Sequence, residues 1–338
     1  PDWQKMACAL AATSAFAIIT GGPGTGKTTT VVKLLALLQS MAVQDSAASG
    51  KGARPLRICL AAPTGKAAAR LTESIVGALD RLGDHELPQI PPVTLSGQAR
   101  SLKDLIPAEA PTLHRLLGSR PDSRHFRHNA QHPLALDVLV VDEASMVDLE
   151  MMAAVLTALP PQARLVLLGD KDQLASVEVG AVLGELCAQS ARGLYWHETA
   201  QWLQQVTGEQ VPAELQDIMG KPLDQAVVML RVSHRFHAAS GIGRLAREVN
   251  DGNGRAIKQL LKDGYADVAA YAVPDLTHSS LAQLVIDGGG KRFPDSVQKQ
   301  NGGPVGYGHY LQVLREMPQE GGQAALDAWA HRLLAAHS

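Results

Sequence analysis

Apolar positions along the chain fall into short, dense runs. AFAIIT (15–20), RICLAA (57–62), LDVLVV (136–141), RLVLL (164–168) and AVVMLR (226–231) are continuous rather than alternating. Such runs read as strands buried on both faces, the state of parallel strands covered by helices. Between them the apolar residues repeat at helical spacing. Leu34, Leu35 and Leu38 do so within 31–41, and similar patterns cover about 66–82, 111–118, 148–159 and 178–189. Strands alternating with helices predict an α/β fold, a parallel sheet with flanking helices and right-handed crossovers.

Polar stretches break this pattern. Residues 45–55 (DSAASGKGARP) predict a loop. The proline-rich 83–110 is weakly periodic and predicts an insertion. Residues 119–133 carry Arg120, Arg124, His125, Arg127, His128 and His132, and predict an exposed loop or hairpin. The histidine spacing of three and four suits a metal on a helix, but no cysteine or acidic partner lies nearby, so no metal site is expected there. A polar helical insertion runs from about 190 to 224, and 236–338 is mainly helical with a glycine-rich stretch at 287–308. The expected organisation is one domain over 1–235, with insertions at about 83–133 and 190–224, followed by a second over 236–338.

Composition narrows the class. The 338 residues are 46 % hydrophobic and only 4 % aromatic, so aliphatic side chains must fill the core. Cys8, Cys59 and Cys187 form no CxxC pair, which excludes a disulfide scaffold and a cysteine zinc site and predicts a reducing cytoplasm. No apolar run approaches the roughly 20 residues of a membrane span. A net charge of −2 excludes a protein that coats nucleic acid through bulk charge, though not one that grips a strand in a local groove. The chain opens on Pro1 and is expected to be a piece of a longer protein.

The chemistry starts at Gly21. GGPGTGKT (21–28) matches GxxxxGK[ST] between a buried strand and an apolar helix. Gly22, Gly24, Thr25, Gly26, Lys27, Thr28 and Thr29 are the expected nucleotide-binding residues. The glycines let backbone N–H groups face a phosphate, and the following helix points its positive end at the same place. Lys27 is expected to neutralise the β- and γ-phosphates of ATP, and Thr28 to give a hydroxyl to Mg²⁺. Asp142 and Glu143 end the third strand, at the ligand edge of such a sheet. Asp142 is expected to hold Mg²⁺ and Glu143 to orient or deprotonate the attacking water.

Five segments in order now carry a resemblance. GGPGTGKTT, LAAPTGKAAARL (60–71), VVDEASMVD (140–148), LLGDKDQLASVEVGAVLGEL (167–186) and SHRF (233–236) resemble motifs I, Ia, II, III and IV of superfamily 1 DNA helicases. The wording of TLHRLLG (112–118), DKDQLASVEVGAVL, SGIGRLA (240–246) and GYGHYL (306–311) is similar to the RecD family, the alpha subunits of exodeoxyribonuclease V. The resemblance implies a P-loop, RecA-like motor domain and ATP-driven 5′–3′ movement along single-stranded DNA. It also implies RecB- and RecC-like partner subunits in recombination and double-strand-break repair. It assigns Gln4 to the adenine edge, Asp170 and Gln173 to coupling the γ-phosphate to DNA, and Arg235 to the γ-phosphate as a catalytic arginine. DNA is then expected at Pro63, Thr64 and Lys66, where a hydroxyl, free N–H groups and an ammonium meet at a helix start. Thr112, His114 and Arg115 are expected to add a second backbone contact, and Arg124, Arg127 and His128 could touch DNA as a hairpin.

The family's motifs V and VI do not occur in the chain, so 236–338 is expected to be an incomplete start of a second RecA-like domain. Nucleotide binding with poor unwinding is the expectation for the chain alone. Two other readings stay open. One is an AAA+ ATPase, against which Gly169-Asp170 and Gln173 argue. The other is an assembly subunit that uses nucleotide without helicase activity.

Overall fold

Among the described residues of the computed structural model seven strands form: β1 (Phe16–Gly21), β2 (Ile58–Ala61), β3 (Val93–Leu95), β4 (Gln98–Arg100), β5 (Val138–Val141), β6 (Arg164–Gly169) and β7 (Val227–Leu230). Five of them make one parallel sheet in the order β2-β5-β6-β1-β7, and β3 and β4 pair as a separate hairpin. The structure describes all residues except 51, 84–86, 92, 96–97, 121–122, 124, 174–181, 236–239, 272–278, 289–305, 319–321 and 338. It divides into two compact units, Pro1–Arg235 and Phe236–Ser338.

In the first unit the helices are α1 (Trp3–Thr13), α2 (Lys27–Ala48), α3 (Gly65–Arg81), α4 (Leu113–Leu117), α5 (Leu149–Ala158), α6 (Val182–Leu186) and α7 (His197–Thr207). Strand alternation sends successive side chains to opposite sheet faces. Ala17, Ile19, Val138, Val140, Val166 and Leu168 join one core with residues of α1, α2, α3 and α7. Ile18, Leu139, Val141, Leu165 and Leu167 join another with α4, α5 and α6. Both faces are thus dry, which accounts for the continuous apolar runs. All five strands also deliver their C-terminal ends to one edge.

Two helices differ from the sequence expectation. The chain before β1 forms α1, capped by Asp2, whose carboxylate accepts from the N–H groups of Gln4 (2.9 Å) and Lys5 (3.0 Å). And α2 runs to Ala48, taking in the first four residues of the expected 45–55 loop. Its added turns are covered from outside: Val43 packs with Val93 and Leu105 of the 83–110 insertion. Gln39 fastens the same insertion, donating to the carbonyls of Leu56 (3.0 Å) and Leu105 (2.8 Å). The helix stops where Gly50 enters the left-handed region at φ +68°.

The second unit contains α8 (Gly241–Asn250), α9 (Gly254–Asp263), α10 (Ser279–Asp287), α11 (Tyr307–Arg315) and α12 (Gly322–His337). Asp267 accepts from the N–H of Gly241 at 2.8 Å and holds the start of α8. The Trp329 indole N–H donates to the Val313 carbonyl at 2.8 Å and ties α12 to α11. No strand occurs among the described residues of this unit.

Candidate functional site

β1 ends at Gly21, and the chain turns sharply into α2. Gly24 and Gly26 sit at φ +76° and +84°, a conformation that side chains with a Cβ resist. Gly26 immediately precedes α2, so the first N–H groups of that helix open onto the turn. Thr25 Oγ1 donates to the Gly22 carbonyl (2.9 Å) and Thr30 Oγ1 to the Gly26 carbonyl (2.9 Å), which stiffens the loop from within. Lys27 Nζ donates to the carbonyl of Gly21 at 2.5 Å and of Gly22 at 3.3 Å. The ammonium therefore lies over the loop.

The segment after β7 closes one side. Ser233 Oγ donates to the Pro23 carbonyl (3.1 Å) and the His234 N–H to the Gly24 carbonyl (2.8 Å). A Cβ on Gly24 would overlap that of Arg235, so the bare glycine lets this segment approach. From α1, Gln4 Nε2 donates to the Thr25 carbonyl at 3.1 Å and lies 3.4 Å from His234 Nε2.

The ends of β5 and β6 form the acidic side. Burial raises the pKa of Asp142 above its ordinary 3.8, while the Glu143 N–H and the nearby Lys27 pull it back down. Glu143 donates its N–H to Asp142 Oδ1 at 2.9 Å from a left-handed backbone (φ 51°). A non-glycine residue held there costs about 1–2 kcal/mol. Asp170 is buried, and its Oδ1 accepts from the Asp172 N–H at 3.1 Å, so its carboxylate shapes the turn after β6. Residues 174–181 of the expected motif III, and Phe236 of motif IV, lie outside the described residues.

These parts surround one cleft of about 920 Å³. It is lined by Gly24 to Thr29 on the loop, Thr64 and Lys66 at the start of α3, and Asp142, Glu143, Gln173 and Arg235. Gln4, Gly22, Pro63 and Asp170 flank it without lining it. Sequence reasoning missed Arg70, Ser74, Arg81, Met146 and His234, which also line it. The signal for two of them was present, since Lys66, Arg70 and Ser74 recur every four residues on one side of α3. Thr28 and Asp142 offer hard oxygen donors of the kind Mg²⁺ takes. Among the described residues no group of three His, Cys, Asp or Glu could hold a metal ion.

Two more helix starts meet the same edge. Thr64 caps α3, its Oγ1 accepting from the Ala67 N–H at 3.2 Å. Thr112 caps α4 by accepting from the Arg115 N–H at 3.2 Å. A parallel bridge joins Ala62 to Thr112, with Leu113 N–H donating to the Ala62 carbonyl at 2.9 Å, so the two capped starts stand side by side. His114 and Arg115 do not line the large cleft. The His114 ring packs edge-on against Phe126 (6.0 Å between centroids) and borders a separate cleft of about 570 Å³ with His125, His128 and Asp148. Arg124 lies outside the described residues.

The AAA domain family matches residues 4–179, just over half of the chain. The chain is 47 % identical over 251 residues to the RecBCD enzyme subunit RecD of Haemophilus influenzae, covering 74 % of this chain and 36 % of that protein. It is 37 % identical over 345 residues to RecD of Mycolicibacterium smegmatis, covering 96 % and 52 %. To the ATP-dependent RecD2 DNA helicase of Deinococcus radiodurans it is 37 % identical over 174 residues, covering 52 % and 18 %. The chain thus spans between a third and about half of the RecD proteins it matches.

Proposed function

The chain belongs to the AAA domain family and is a RecD relative, and from that premise we propose that it is the ATP-hydrolysing part of a RecD-type DNA helicase subunit. It acts on single-stranded DNA with 5′–3′ movement, beside RecB- and RecC-like subunits, in recombination and double-strand-break repair in the cytoplasm. Residues 1–235 are its first motor domain and 236–338 the start of a second. The observation that supports this most is the single cleft that gathers the phosphate loop, Asp142, Glu143, Gln173 and Arg235 from the ends of different strands.

Each residue has work that its placement suits. The loop N–H groups and the start of α2 hold the β-phosphate. Lys27 leaves the Gly21 carbonyl for the phosphate oxygens, a short swing because it already lies over the loop. Asp142 and the Thr28 hydroxyl would hold Mg²⁺, as both line the cleft beside the phosphate loop. When bound, that ion neutralises charge on the β- and γ-oxygens. Glu143 orients the attacking water and takes its proton. Arg235 neutralises charge that builds on the γ-phosphate oxygens, where a fixed donor contributes most. Gln173 carries the state of that phosphate to the strand, and the DNA backbone crosses the capped starts of α3 and α4, with Thr64 and Lys66 nearest the nucleotide.

The test is ATP hydrolysis by the intact protein with and without single-stranded DNA. Turnover that the DNA stimulates and Lys27→Ala abolishes supports the reading. Tight nucleotide binding with no turnover under either condition would favour an assembly role instead.

A further inference from the structure

At the flank of the cleft, where His234 meets Gln4, stands a pair of side chains suited to choosing the base. We propose that His234 is the positioning residue that fixes the Gln4 side-chain amide, and through it the preference for adenine over guanine nucleotides. The proposal rests on the reading of this cleft as an ATP site.

The argument begins with which end of the amide points where. Gln4 Nε2 lies 3.1 Å from the Thr25 carbonyl oxygen, which can only accept, so the NH₂ group faces it. The same nitrogen lies 3.4 Å from His234 Nε2. An NH₂ group has two hydrogens, and its second meets His234 when the ring carries its proton on Nδ1 and accepts through Nε2. Two acceptors then hold one donor group. Flipping the amide would set Oε1 against both of them. Held this way, Oε1 is the end turned away from both, and it presents an acceptor to a ligand.

That polarity discriminates between purines. Adenine carries an amino group at C6, which donates to an amide oxygen, whereas guanine carries a carbonyl there, which opposes it. Thr25 alone supplies one of the two holds on the amide, and His234 supplies the other. The backbone that carries the ring is itself anchored, because the His234 main-chain N–H donates to the Gly24 carbonyl at 2.8 Å and Ser233 Oγ to the Pro23 carbonyl at 3.1 Å. Gly26 completes the arrangement. A Cβ there would overlap the Gln4 amide nitrogen and would stand 3.8 Å from His234 Cδ2, so the glycine makes room for the pair.

The experiment measures kcat and KM with ATP and with GTP in the intact protein. It compares wild type, His234→Ala, His234→Gln, Gln4→Ala and the double variant His234→Ala/Gln4→Ala. In His234→Ala the ATP-over-GTP ratio of kcat/KM is expected to fall about tenfold, the worth of one hydrogen bond. The loss should fall on KM for ATP rather than on kcat. His234→Gln, whose Oε1 reaches the position of the lost ring nitrogen, should restore most of the ratio. In the Gln4→Ala background His234→Ala should cost nothing further, because the two act through one contact. A ratio that survives His234→Ala but collapses in Gln4→Ala overturns the proposal and leaves the ATP site standing. A ratio unmoved by Gln4→Ala also overturns it, since the amide then reads no base. Wild type that neither binds nor hydrolyses either nucleotide removes the ATP-site reading itself.

Discussion

The N–H of His234 donates to the carbonyl of Gly24 across 2.8 Å, joining the segment after β7 to the phosphate loop after β1. The two strands are neighbours, with Gly21 opposite Leu230. The connection is therefore made twice, through the sheet and again through the loops. These bonds fix where the main chain of Arg235 stands relative to the loop, at the wall of the cleft that Arg235 lines.

Gly24→Ala tests this joint. The substitution meets both a left-handed φ of +76° and an overlap with Arg235. The conformational part alone costs about 1–2 kcal/mol. The expected result is a lower Tm, by roughly 2–4 °C per kcal/mol, and at least about a tenfold loss of ATP affinity, measured by calorimetry. Gly22→Ala is the control for stability, because a Cβ there meets nothing within 4 Å. Its Tm should stay close to that of wild type.

Lys27→Ala removes the cation that lies over the loop. Loss of one fixed donor at a site of developing charge typically costs about 10²–10³ in kcat, and a fall of that size in steady-state ATP hydrolysis is expected. A fall of less than tenfold would mean that another cation carries the charge.

Asp142→Asn should separate stability from activity. Burial lifts the folded-state pKa of Asp142 above 3.8. The folded chain then holds this proton more tightly than the unfolded chain, so ionisation costs stability as pH rises from about 4 through the raised value, and the whole cost is present at neutral pH. Asparagine keeps an acceptor for the Glu143 N–H and carries no charge. Its Tm at pH 7 should exceed that of wild type, with the gain fading below about pH 4, while hydrolysis is lost. Equal Tm values across the whole range would show that the carboxylate is well solvated.

The row of cations on α3 predicts a salt effect. Single-stranded DNA lying along Arg70 and Arg81 would release about 0.7 counterion per phosphate contact. Replacing both by alanine should flatten the slope of log K against log salt by about 1.4. An unchanged slope with weaker ATP binding would assign the row to the nucleotide instead.

Much of this was legible in the chain because the signals are local. The spacing of Gly21, Gly26 and Lys27 within nine residues, and carboxylates ending an apolar run at Asp142, need no tertiary context. What escaped depends on distant partners. The final turns of α2 exist because Val43 is covered by Val93 and Leu105, some fifty and sixty residues on. The helix α1 was hidden because ACALAA has small apolar residues at nearly every position and so shows no contrasting face. Asp170 also serves its own turn, its Oδ1 accepting from the Asp172 N–H, a local bond that the apolar pattern does not announce. Arg70, Arg81 and His234 look like surface residues until α3 and the segment after β7 are laid against the loop.

Glu143 is where backbone preference and chemistry disagree. Its left-handed φ of 51° suits glycine or asparagine better than glutamate. A library of variants at this position selected only for surviving heat should enrich Glu143→Gly and Glu143→Asn. The same library selected for turnover should purge both. The two screens would rank one site in opposite orders, and how far apart the rankings fall measures how much stability the chain forgoes to keep a carboxylate there.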